Sequence, residues 1–429
     1  MTDRPNLSVI AGLSWEENWR MPNGTSSFVV PFPRTRPMNI VFHGDDKFEY
    51  GHFGVHLGQM DCLTFLGHPQ QVISASFIDC RKSSPTARAA LRVEFTPSSR
   101  WALNIPPGVA HDFTGLENVT TLNNYRLFLP DPDDWVSGRT RWDAGADVIN
   151  VASDVDPNDA ELFDVNVNPA SDVYYAIVAE RQQDALRSSP LMYPYTHEHT
   201  DSDGTTYLLK VRERTSTSTL VRDFLEPIGK ISGLHWAANP FLSSGPKSGF
   251  VPLLGKRPYY IVDHGFTQEY THDAYGIHLG QRDRLVFVGA ENKEAFVEFV
   301  DCRRGSPTLH ESIKVSFRPD PLRTLVIPNG VAHRFERMEG IFTLNQGEIF
   351  LDEAGEYEPG NDVIDWPLSH RPFPVLSPNS IPASPAFYVD LMTSQNALRA
   401  EGTIRSTPVV LLAKDEQGRD VRVALRRAN

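Results

Sequence analysis

The chain has 429 residues, which at roughly 150 residues per domain predicts two or three domains, with two of about 215 as the natural division. Hydrophobic residues make up 40% and charged residues 22%, which is typical of a folded globular protein and excludes a disordered chain. The formal charge of −13 makes a polyanion such as nucleic acid or an acidic membrane an unfavourable partner.

The cysteine count and the apolar runs predict a cellular location. Cys62, Cys80 and Cys302 form a sparse, odd set, which is typical of a reducing compartment and not of a disulfide framework. The first residues lack the basic and apolar regions of a signal peptide, and no apolar run approaches the roughly 18 residues of a membrane span. We therefore expect a soluble cytoplasmic protein.

An internal repeat decides the predicted domain organisation. Phe53–Gly67 recurs as Tyr275–Gly289 with 9 of 15 positions identical. Two further blocks return at the same offset of 222 residues, Phe77–Thr86 as Phe299–Thr308 and Ile105–Phe113 as Ile327–Phe335. Weaker matches, such as Pro169–Ser171 with Pro382–Ser384, extend the repeat over nearly the whole chain. We predict two domains, 1–226 and 227–429.

Taken in chain order, each copy reads mostly as short β-strands. Runs rich in Val, Ile, Phe and Thr, bounded by Gly, Pro, Asn and Asp, are Leu63–Leu66, Val72–Ile78, Ala90–Phe95 and Leu285–Val288. Val173–Leu186 and its counterpart Ala386–Leu398 have an ambiguous pattern that fits a strand entering a short helix. The sequence therefore predicts an all-β protein built from two sandwiches or small barrels in tandem.

Two histidines per copy are the candidate catalytic residues. His56 and His278 follow a glycine and an aliphatic residue, with Gln59 and Gln281 three positions on. His111 and His333 close a Pro-x-Gly-x-x-His turn. An imidazole near its ordinary pKa is a good base at neutral pH, so such a pair suits proton transfer. The alternative is that these are hydrogen-bonded core or rim histidines.

An Asp-Cys-Arg sequence also occurs in both copies. Asp79 and Arg81 share one face of a strand, as do Asp301 and Arg303. Such a face could orient a histidine and bind an anion such as a diphosphate, or it could be a buried ion pair. Metal binding is not predicted, since Pro-x-Gly-x-x-His is half of the metal-binding cupin signature but the other half supplies only His-Leu-Gly-Gln. Two imidazoles fall short of the usual three or four ligands, so no cofactor is expected.

Three blocks of the second copy, Gly276–Gln281, Val300–Thr308 and Ile327–Phe335, together resemble the dTDP-4-dehydrorhamnose 3,5-epimerase family. Gly54–Phe113 carries the same pattern in the first copy, and Tyr357–Pro367 resembles the C-terminal segment of that family. This family is a metal-independent branch of the cupins that acts on 4-keto sugar nucleotides. The resemblance implies two tandem cupin barrels (double-stranded β-helix or jelly roll) with little helix, no cofactor, and a pseudo-dimer within one chain.

The resemblance also implies roles for individual residues. His56 and His278 would be general bases, and His111 and His333 would have Asp79 and Asp301 as partners. The base would be oriented by Asp362, or by Asp147 in the first copy.

The sequence departs from the family at three positions. The Lys that steadies the enolate falls at Arg284 and Cys62, and the acidic Tyr falls near Asn123 and Asn345. The Arg that usually precedes the Gly-x-His falls at Phe53 and Tyr275, and Tyr275 is a candidate for a relocated acid. The expected substrate-binding residues are Gln281, Arg303, Tyr275, Asn345, Gln59, Arg81 and Asn123.

These observations favour a cofactor-free carbohydrate isomerase or epimerase that abstracts a proton next to a carbonyl. The second copy is the better candidate because Arg284 keeps a cation where the first copy has Cys62. Two alternatives stay open: a cupin lyase or cyclase of secondary metabolism, and a metabolite-binding protein without catalysis. A homodimer of the chain is also left open.

Overall fold

The computed structural model describes residues 4–23, 27–32, 36, 38–45, 50–130, 148–171, 173–175, 178, 192–200, 206–214, 225–239, 241–243, 248–253, 257–355, 363–400, 409–414 and 420–425. The described strands of the first part of the chain are β1 (Ser14–Glu17), β2 (Met21–Asn23), β3 (Ser27–Phe32), β4 (Met38–His43), β5 (His52–His56), β6 (Gln59–Leu66), β7 (Ile73–Asp79), β8 (Ala90–Phe95), β9 (Trp101–Ile105), β10 (Val109–Thr114), β11 (Thr120–Asn123), β12 (Arg126–Leu129), β13 (Val148–Ala152), β14 (Asn168–Pro169), β15 (Met192–Thr200) and β16 (Thr206–Arg214), with a short 3-10 helix at Pro157–Asp159. Those of the second part are β17 (Leu225–Pro227), β18 (His235–Ala238), β19 (Leu242–Ser243), β20 (Ser248–Leu253), β21 (Tyr259–Asp263), β22 (Ala274–His278), β23 (Gln281–Gly289), β24 (Ala295–Asp301), β25 (Ser312–Phe317), β26 (Asp320–Ile327), β27 (Val331–Glu336), β28 (Ile341–Asn345), β29 (Glu348–Leu351), β30 (Val363–Pro367), β31 (Ile381–Pro382), β32 (Val409–Lys414) and β33 (Asp420–Leu425), with the helix α1 (Pro385–Ala400) between β31 and β32.

The chain forms two compact units, and each unit includes one short segment from the sequence range of the other. Unit 1 comprises Met1–Asn18, Arg36–Asp223 and Asn239–Gly255, and unit 2 comprises Trp19–Thr35, Phe224–Ala238 and Lys256–Asn429. Strand β20 pairs with β4 in unit 1, and β3 pairs with β21 in unit 2. The predicted division at 226/227 did not include this exchange of segments.

Each unit is a cupin jelly roll made of two sheets, in which the strands pair antiparallel except for the parallel pairing of β30 with β32 in unit 2. In unit 1 the strand orders are β1-β9-β6-β11-β4-β20-β19 and β13-β5-β10-β7-β8. In unit 2 they are β17-β18-β26-β23-β28-β21-β3-β2 and β25-β24-β27-β22-β30-β32-β33. The prediction of two tandem cupin barrels with little helix is therefore confirmed. Among the described residues, no helix is both long and apolar enough to cross a membrane.

The core of each unit lies between its two sheets, because alternate residues of every strand point inward. In unit 1 the cluster includes Phe65, Phe77 and Phe113, and in unit 2 it includes Phe287 and Phe335. Outside this core, α1 packs Tyr388, Leu391 and Met392 against Ile349. The ambiguous segment Ala386–Leu398 is thus helical and covers an outer strand of its barrel.

The Pro-x-Gly-x-x-His turn requires its glycine. Gly330 has φ +79°, and a Cβ there would lie 2.5 Å from Cγ of Pro378 and 2.7 Å from Cγ of Arg303. Gly305 has a similar φ of +77°, with no atom within 4 Å of an added Cβ.

We expect Gly330→Ala to lower the free energy of unfolding by about 3 kcal/mol, since backbone strain and overpacking add. Gly305→Ala should cost only about 1 kcal/mol because strain acts alone. Urea denaturation of both variants measures this, and equal losses would show that the contacts of Gly330 contribute nothing.

Candidate active site

Strand pairing brings the two predicted histidines of each copy together inside the barrel. His56 ends β5, and His111 on β10 lies opposite Gly54 of that strand. The two imidazole rings stack with their centroids 5.9 Å apart. Their counterparts His278 and His333 repeat the arrangement in unit 2, also at 5.9 Å. Since residues two apart on a strand share a face, and Gly54 has no side chain, both rings have room in the interior.

A buried aspartate joins each histidine pair. In unit 1, Oδ2 of Asp61 lies 3.6 Å from Nε2 of His56 and 3.3 Å from Nε2 of His111. In unit 2, Oδ2 of Asp283 lies 3.6 Å from Nε2 of His278 and 3.5 Å from Nε2 of His333. The three ligand atoms of each group lie within 4.8 Å of one another. We call these groups the unit 1 triad (His56, Asp61, His111) and the unit 2 triad (His278, Asp283, His333).

Amide side chains hold the other carboxylate oxygen of each aspartate. Oδ1 of Asp61 accepts hydrogen bonds from Nε2 of Gln59 (2.6 Å) and Nδ2 of Asn123 (2.8 Å). Oδ1 of Asp283 accepts the equivalent bonds from Gln281 (2.7 Å) and Asn345 (2.9 Å). These four predicted residues therefore lie at the site, where they orient the carboxylate and leave Oδ2 facing the imidazoles.

The remote ring nitrogen of one histidine in each triad faces a backbone carbonyl. Nδ1 of His111 lies 3.1 Å from the oxygen of Val109, and Nδ1 of His333 lies 3.3 Å from that of Val331. Because a carbonyl only accepts, Nδ1 is the donor in each of these contacts, and Nε2 faces Oδ2 of the aspartate. Burial opposes ionisation of Asp61, but the charge of His56 and hydrogen bonds from His111 and Asn123 hold its pKa well below the usual range.

A cavity of about 290 Å³ opens onto the unit 1 triad and contains a second polar pair. His43 and Tyr50 both line it, and Nε2 of His43 lies 3.3 Å from the hydroxyl of Tyr50. Nδ1 of His43 faces the oxygen of Val119 at 3.2 Å, so Nδ1 holds the proton and Tyr50 donates to Nε2. Burial lowers the pKa of His43 to about 4, which keeps the ring neutral. Tyr50 is 40% exposed as a whole residue, and desolvation of its hydroxyl in the cavity, together with the charges of Asp61 and Asp112, raises its pKa.

The two sites differ at one position of the neighbouring strand. Asp365 on β30 lies opposite Gly276 of unit 2, and Asn150 on β13 lies opposite Gly54 of unit 1. Burial and the charge of Asp273 raise the pKa of Asp365, and His278 opposes this. The orienting aspartates predicted from the resemblance, Asp147 and Asp362, lie outside the described residues.

The Asp-Cys-Arg sequences form a separate network. Asp301, fully buried, makes a bidentate ion pair with Arg303 (2.8 Å for each bond) and accepts from Ser306 and Thr308. Asp79 and Arg81 repeat this in unit 1, with bonds of 2.7 and 2.8 Å. Of the two readings of this sequence, the structure shows the buried ion pair. The carboxylates that face the histidines are those of Asp61 and Asp283.

Three predicted residues point away from the triads because of strand alternation. On β23, Asp283, Leu285 and Phe287 face the interior, so Arg284 faces outward, where it lies 3.8 Å from Glu348. Cys62, next to Asp61 on β6, lies on the opposite face of that strand and is buried there. Tyr275 lies three positions before His278 on β22, so its side chain is on the opposite face of the strand. There it packs in a hydrophobic cluster, with its ring 5.1 Å from that of Phe373. The expected enolate-stabilising cation and the relocated acid are thus not beside the histidines.

Sequence reasoning missed Asp61, Asp283, His43 and Tyr50. The signal for the aspartates was present, since each is an acidic residue within an apolar strand and both copies keep it at the offset of 222. His43 has a counterpart in His264 at an offset of 221. Tyr50 lies in the loop before β5, and we find no sequence pattern that would have singled it out.

The fold and the site define a tandem cupin protein with a His-Asp-His group in each barrel. No family model matches the chain. A curated relative, the dTDP-4-dehydrorhamnose 3,5-epimerase of Salmonella typhimurium, is 27% identical over 145 residues, which cover 31% of this chain and 75% of the relative.

Solved structures similar to this chain include two with bound nucleotides. One is a dTDP-4-dehydrorhamnose 3,5-epimerase of Bacillus anthracis with TDP and PPi bound, at 14% identity, with coverage of 38% of this chain and 97% of that one and a TM-score of 0.23. Another is a 3,4-ketoisomerase of Thermoanaerobacterium thermosaccharolyticum in complex with TDP-4-keto-6-deoxyglucose, at 16% identity, 38% and 97% coverage and a TM-score of 0.23. The curated relative supports an enzyme of the isomerase and epimerase class.

Proposed function

We propose that this protein is an isomerase or epimerase of a 4-keto sugar nucleotide or a related keto sugar, and that it works by proton transfer next to the carbonyl. The observation that carries the proposal is the cavity of unit 1, which brings a histidine-carboxylate group and a tyrosine together. A base and an acid in one cavity are what an epimerisation needs, because one removes the proton and the other returns it. The identity with an epimerase over 145 residues supports the substrate class.

His56 is the proposed base. Its Nε2 faces Oδ2 of Asp61, so an imidazolium formed by taking the substrate proton would gain a charge partner at 3.6 Å. His111 is proposed to share this charge, since its Nε2 also faces Oδ2. The sequence favoured the second copy because of Arg284, but the side chain of Arg284 points away from the triad. We therefore place catalysis in unit 1, whose cavity also contains Tyr50. His278 holds the equivalent position in unit 2, where no reaction is proposed.

Tyr50 is the proposed acid. Its hydroxyl donates a hydrogen bond to Nε2 of the neutral His43, which holds the hydroxyl in place. This assignment supplies the group that the sequence lacks at Asn123. His56 on β5 and Tyr50 in the preceding loop would then serve the two faces of the sugar ring.

Replacing Tyr50 by Phe should separate proton removal from epimerisation. We expect the rate of product formation to fall about 10²- to 10⁴-fold, since an acid is lost. Solvent deuterium should still enter the unreacted substrate, because His56 can return a deuteron to the face it deprotonated. Proton NMR of TDP-4-keto-6-deoxyglucose in deuterated water follows both processes. If product formation stays at the wild-type rate in Tyr50→Phe, Tyr50 is not the acid.

A further inference from the structure

We propose that the chain binds one sugar ring, in unit 1 alone, and that the hydroxyl of Thr121 and the amide of Asn150 select this barrel by hydrogen-bonding the ring. Thr121 lies on β11 and Asn150 on β13, and both line the unit 1 cavity. That the ligand is a keto sugar rests on the proposed function. The residues that hold it and the number of sites follow from a comparison of the two units.

The hydroxyl of Thr121 is a buried polar group without a hydrogen-bond partner among the described residues. The residue is 4% exposed, and it shares the inward face of β11 with Asn123, which holds Asp61. Buried hydroxyls of folded proteins are nearly always hydrogen-bonded, because an unpaired one has lost its water without compensation. A hydroxyl that faces a cavity without a protein partner is therefore available to a ligand.

The equivalent hydroxyl in unit 2 has a partner. Thr343, at the offset of 222 residues from Thr121, has its Oγ1 3.1 Å from Nε2 of His264. His43, the counterpart of His264, uses the same nitrogen for the hydroxyl of Tyr50 at 3.3 Å. The hydroxyl that would bind a sugar is thus taken up within the protein in unit 2 and left to the cavity in unit 1.

The side chain of Asn150 differs in charge from its counterpart. Ile149 and Val151 pack in the hydrophobic cluster on the other face of β13, so Asn150 between them faces the cavity. In unit 2 the same place, opposite a glycine of the neighbouring strand, is held by Asp365. An amide donates hydrogen bonds, whereas an ionised carboxylate only accepts. A ketone oxygen that gains negative charge is therefore attracted by the group in unit 1 and repelled by the one in unit 2.

The unit 1 cavity fits an uncharged group of the size of one ring. Its volume of about 290 Å³ corresponds to roughly ten water molecules, close to the number of non-hydrogen atoms in a 6-deoxy keto sugar ring. Among the described residues that line it there is no lysine or arginine, so no permanent cation is present to hold a phosphate. The ring would therefore enter the cavity, while the diphosphate and the base of a sugar nucleotide would stay outside.

The test is isothermal titration calorimetry with TDP-4-keto-6-deoxyglucose, in the His56→Asn background so that the ligand is not converted. We expect one equivalent per chain. Thr121→Val keeps the shape of the side chain without its hydroxyl and should raise the dissociation constant about 5- to 100-fold. Asn150→Asp should raise it by a similar factor, since the donor is lost. Thr343→Val is the matched control in unit 2 and should leave the dissociation constant unchanged.

Stability and ligand analogues separate a binding role from a structural one. Thr121→Val should not lower the midpoint of thermal unfolding, since the hydroxyl that it removes has no protein partner. Thr343→Val should lower the midpoint by about 2–4 °C, because Nε2 of His264 loses its hydrogen bond. Either the 2-deoxy or the 3-deoxy analogue of the sugar nucleotide should bind equally well with and without Thr121→Val, since that analogue lacks the hydroxyl that Thr121 contacts.

The outcomes also separate this site from the proposed function. Binding that Thr121→Val weakens, without deuterium exchange in the wild type, would keep the site and contradict the isomerase. The site itself is overturned if neither the wild type nor His56→Asn, both folded by circular dichroism, binds the sugar nucleotide saturably. It is equally overturned by two equal sites per chain, or by unchanged binding in Thr121→Val and Asn150→Asp.

Discussion

His56→Asn is expected to lower deuterium incorporation into a 4-keto sugar nucleotide by about 10²- to 10⁴-fold, the usual contribution of a general base. Asparagine keeps the approximate size of the ring but has no group that takes up a proton near neutral pH. Asp61 would keep its bonds from Gln59 and Asn123, so the structural support of the site stays in place. Initial rates of signal loss by proton NMR, measured at saturating substrate, give the change directly.

The matched control is the same substitution in the other barrel. His278→Asn is expected to retain at least about half of the wild-type rate, because the proposal places the reaction in unit 1. Equal and partial losses in both variants would instead mean that both barrels react. A rate that survives in His56→Asn and disappears in His278→Asn would contradict the assignment to unit 1.

Asp301→Asn should have the largest effect on stability, a loss of about 3–5 kcal/mol. The carboxylate is 0% exposed and accepts from Arg303, Ser306 and Thr308. An uncharged amide cannot make the bidentate pair, and it leaves the guanidinium of Arg303 without its counter-charge. Urea denaturation at neutral pH measures the loss. Asp164→Asn is the control, because its 2.7 Å pair with Lys82 is exposed and should be worth under about 1 kcal/mol.

The same ion pair predicts a pH dependence. Burial alone would raise the pKa of Asp301, but the hydrogen bonds from Arg303, Ser306 and Thr308 lower it to about 2. A carboxylate with a lowered folded pKa stabilises the protein above its unfolded pKa of about 3.9, and this stability is lost as the pH falls toward 2. The difference in unfolding free energy between wild type and Asp301→Asn should therefore shrink below pH ~4. A difference that stays constant from pH 7 to pH 3 would contradict this assignment.

The repeat made the fold predictable, and strand alternation limited what could be predicted about the site. The offset of 222 residues paired His56 with His278 and His111 with His333, and the structure brings each pair together. Arg284 was expected at the site because it matched a family position. A shift of one residue along β23 reverses the direction of a side chain, so Asp283 points inward in its place.

The remaining features depend on contacts between residues far apart in the chain. From the sequence, Asp79 was expected to pair with a histidine of the same barrel. In the structure, Arg81 and Thr86 donate hydrogen bonds to its carboxylate oxygens instead. The pairing of β20 with β4 joins residues about 200 positions apart, and no local pattern encodes it. Tyr50 and His43 lie seven positions apart, and only the folded chain shows that the Tyr50 hydroxyl meets Nε2 of His43.

The most direct test of the proposed function is proton NMR of chelator-treated wild-type protein with TDP-4-keto-6-deoxyglucose in deuterated water. The proposal predicts loss of the signal at carbon 3 or carbon 5, at a rate proportional to protein concentration. If neither signal changes while the sugar nucleotide is shown to bind, the protein does not abstract a proton beside this carbonyl, and its proposed function as an isomerase or epimerase of this substrate is wrong.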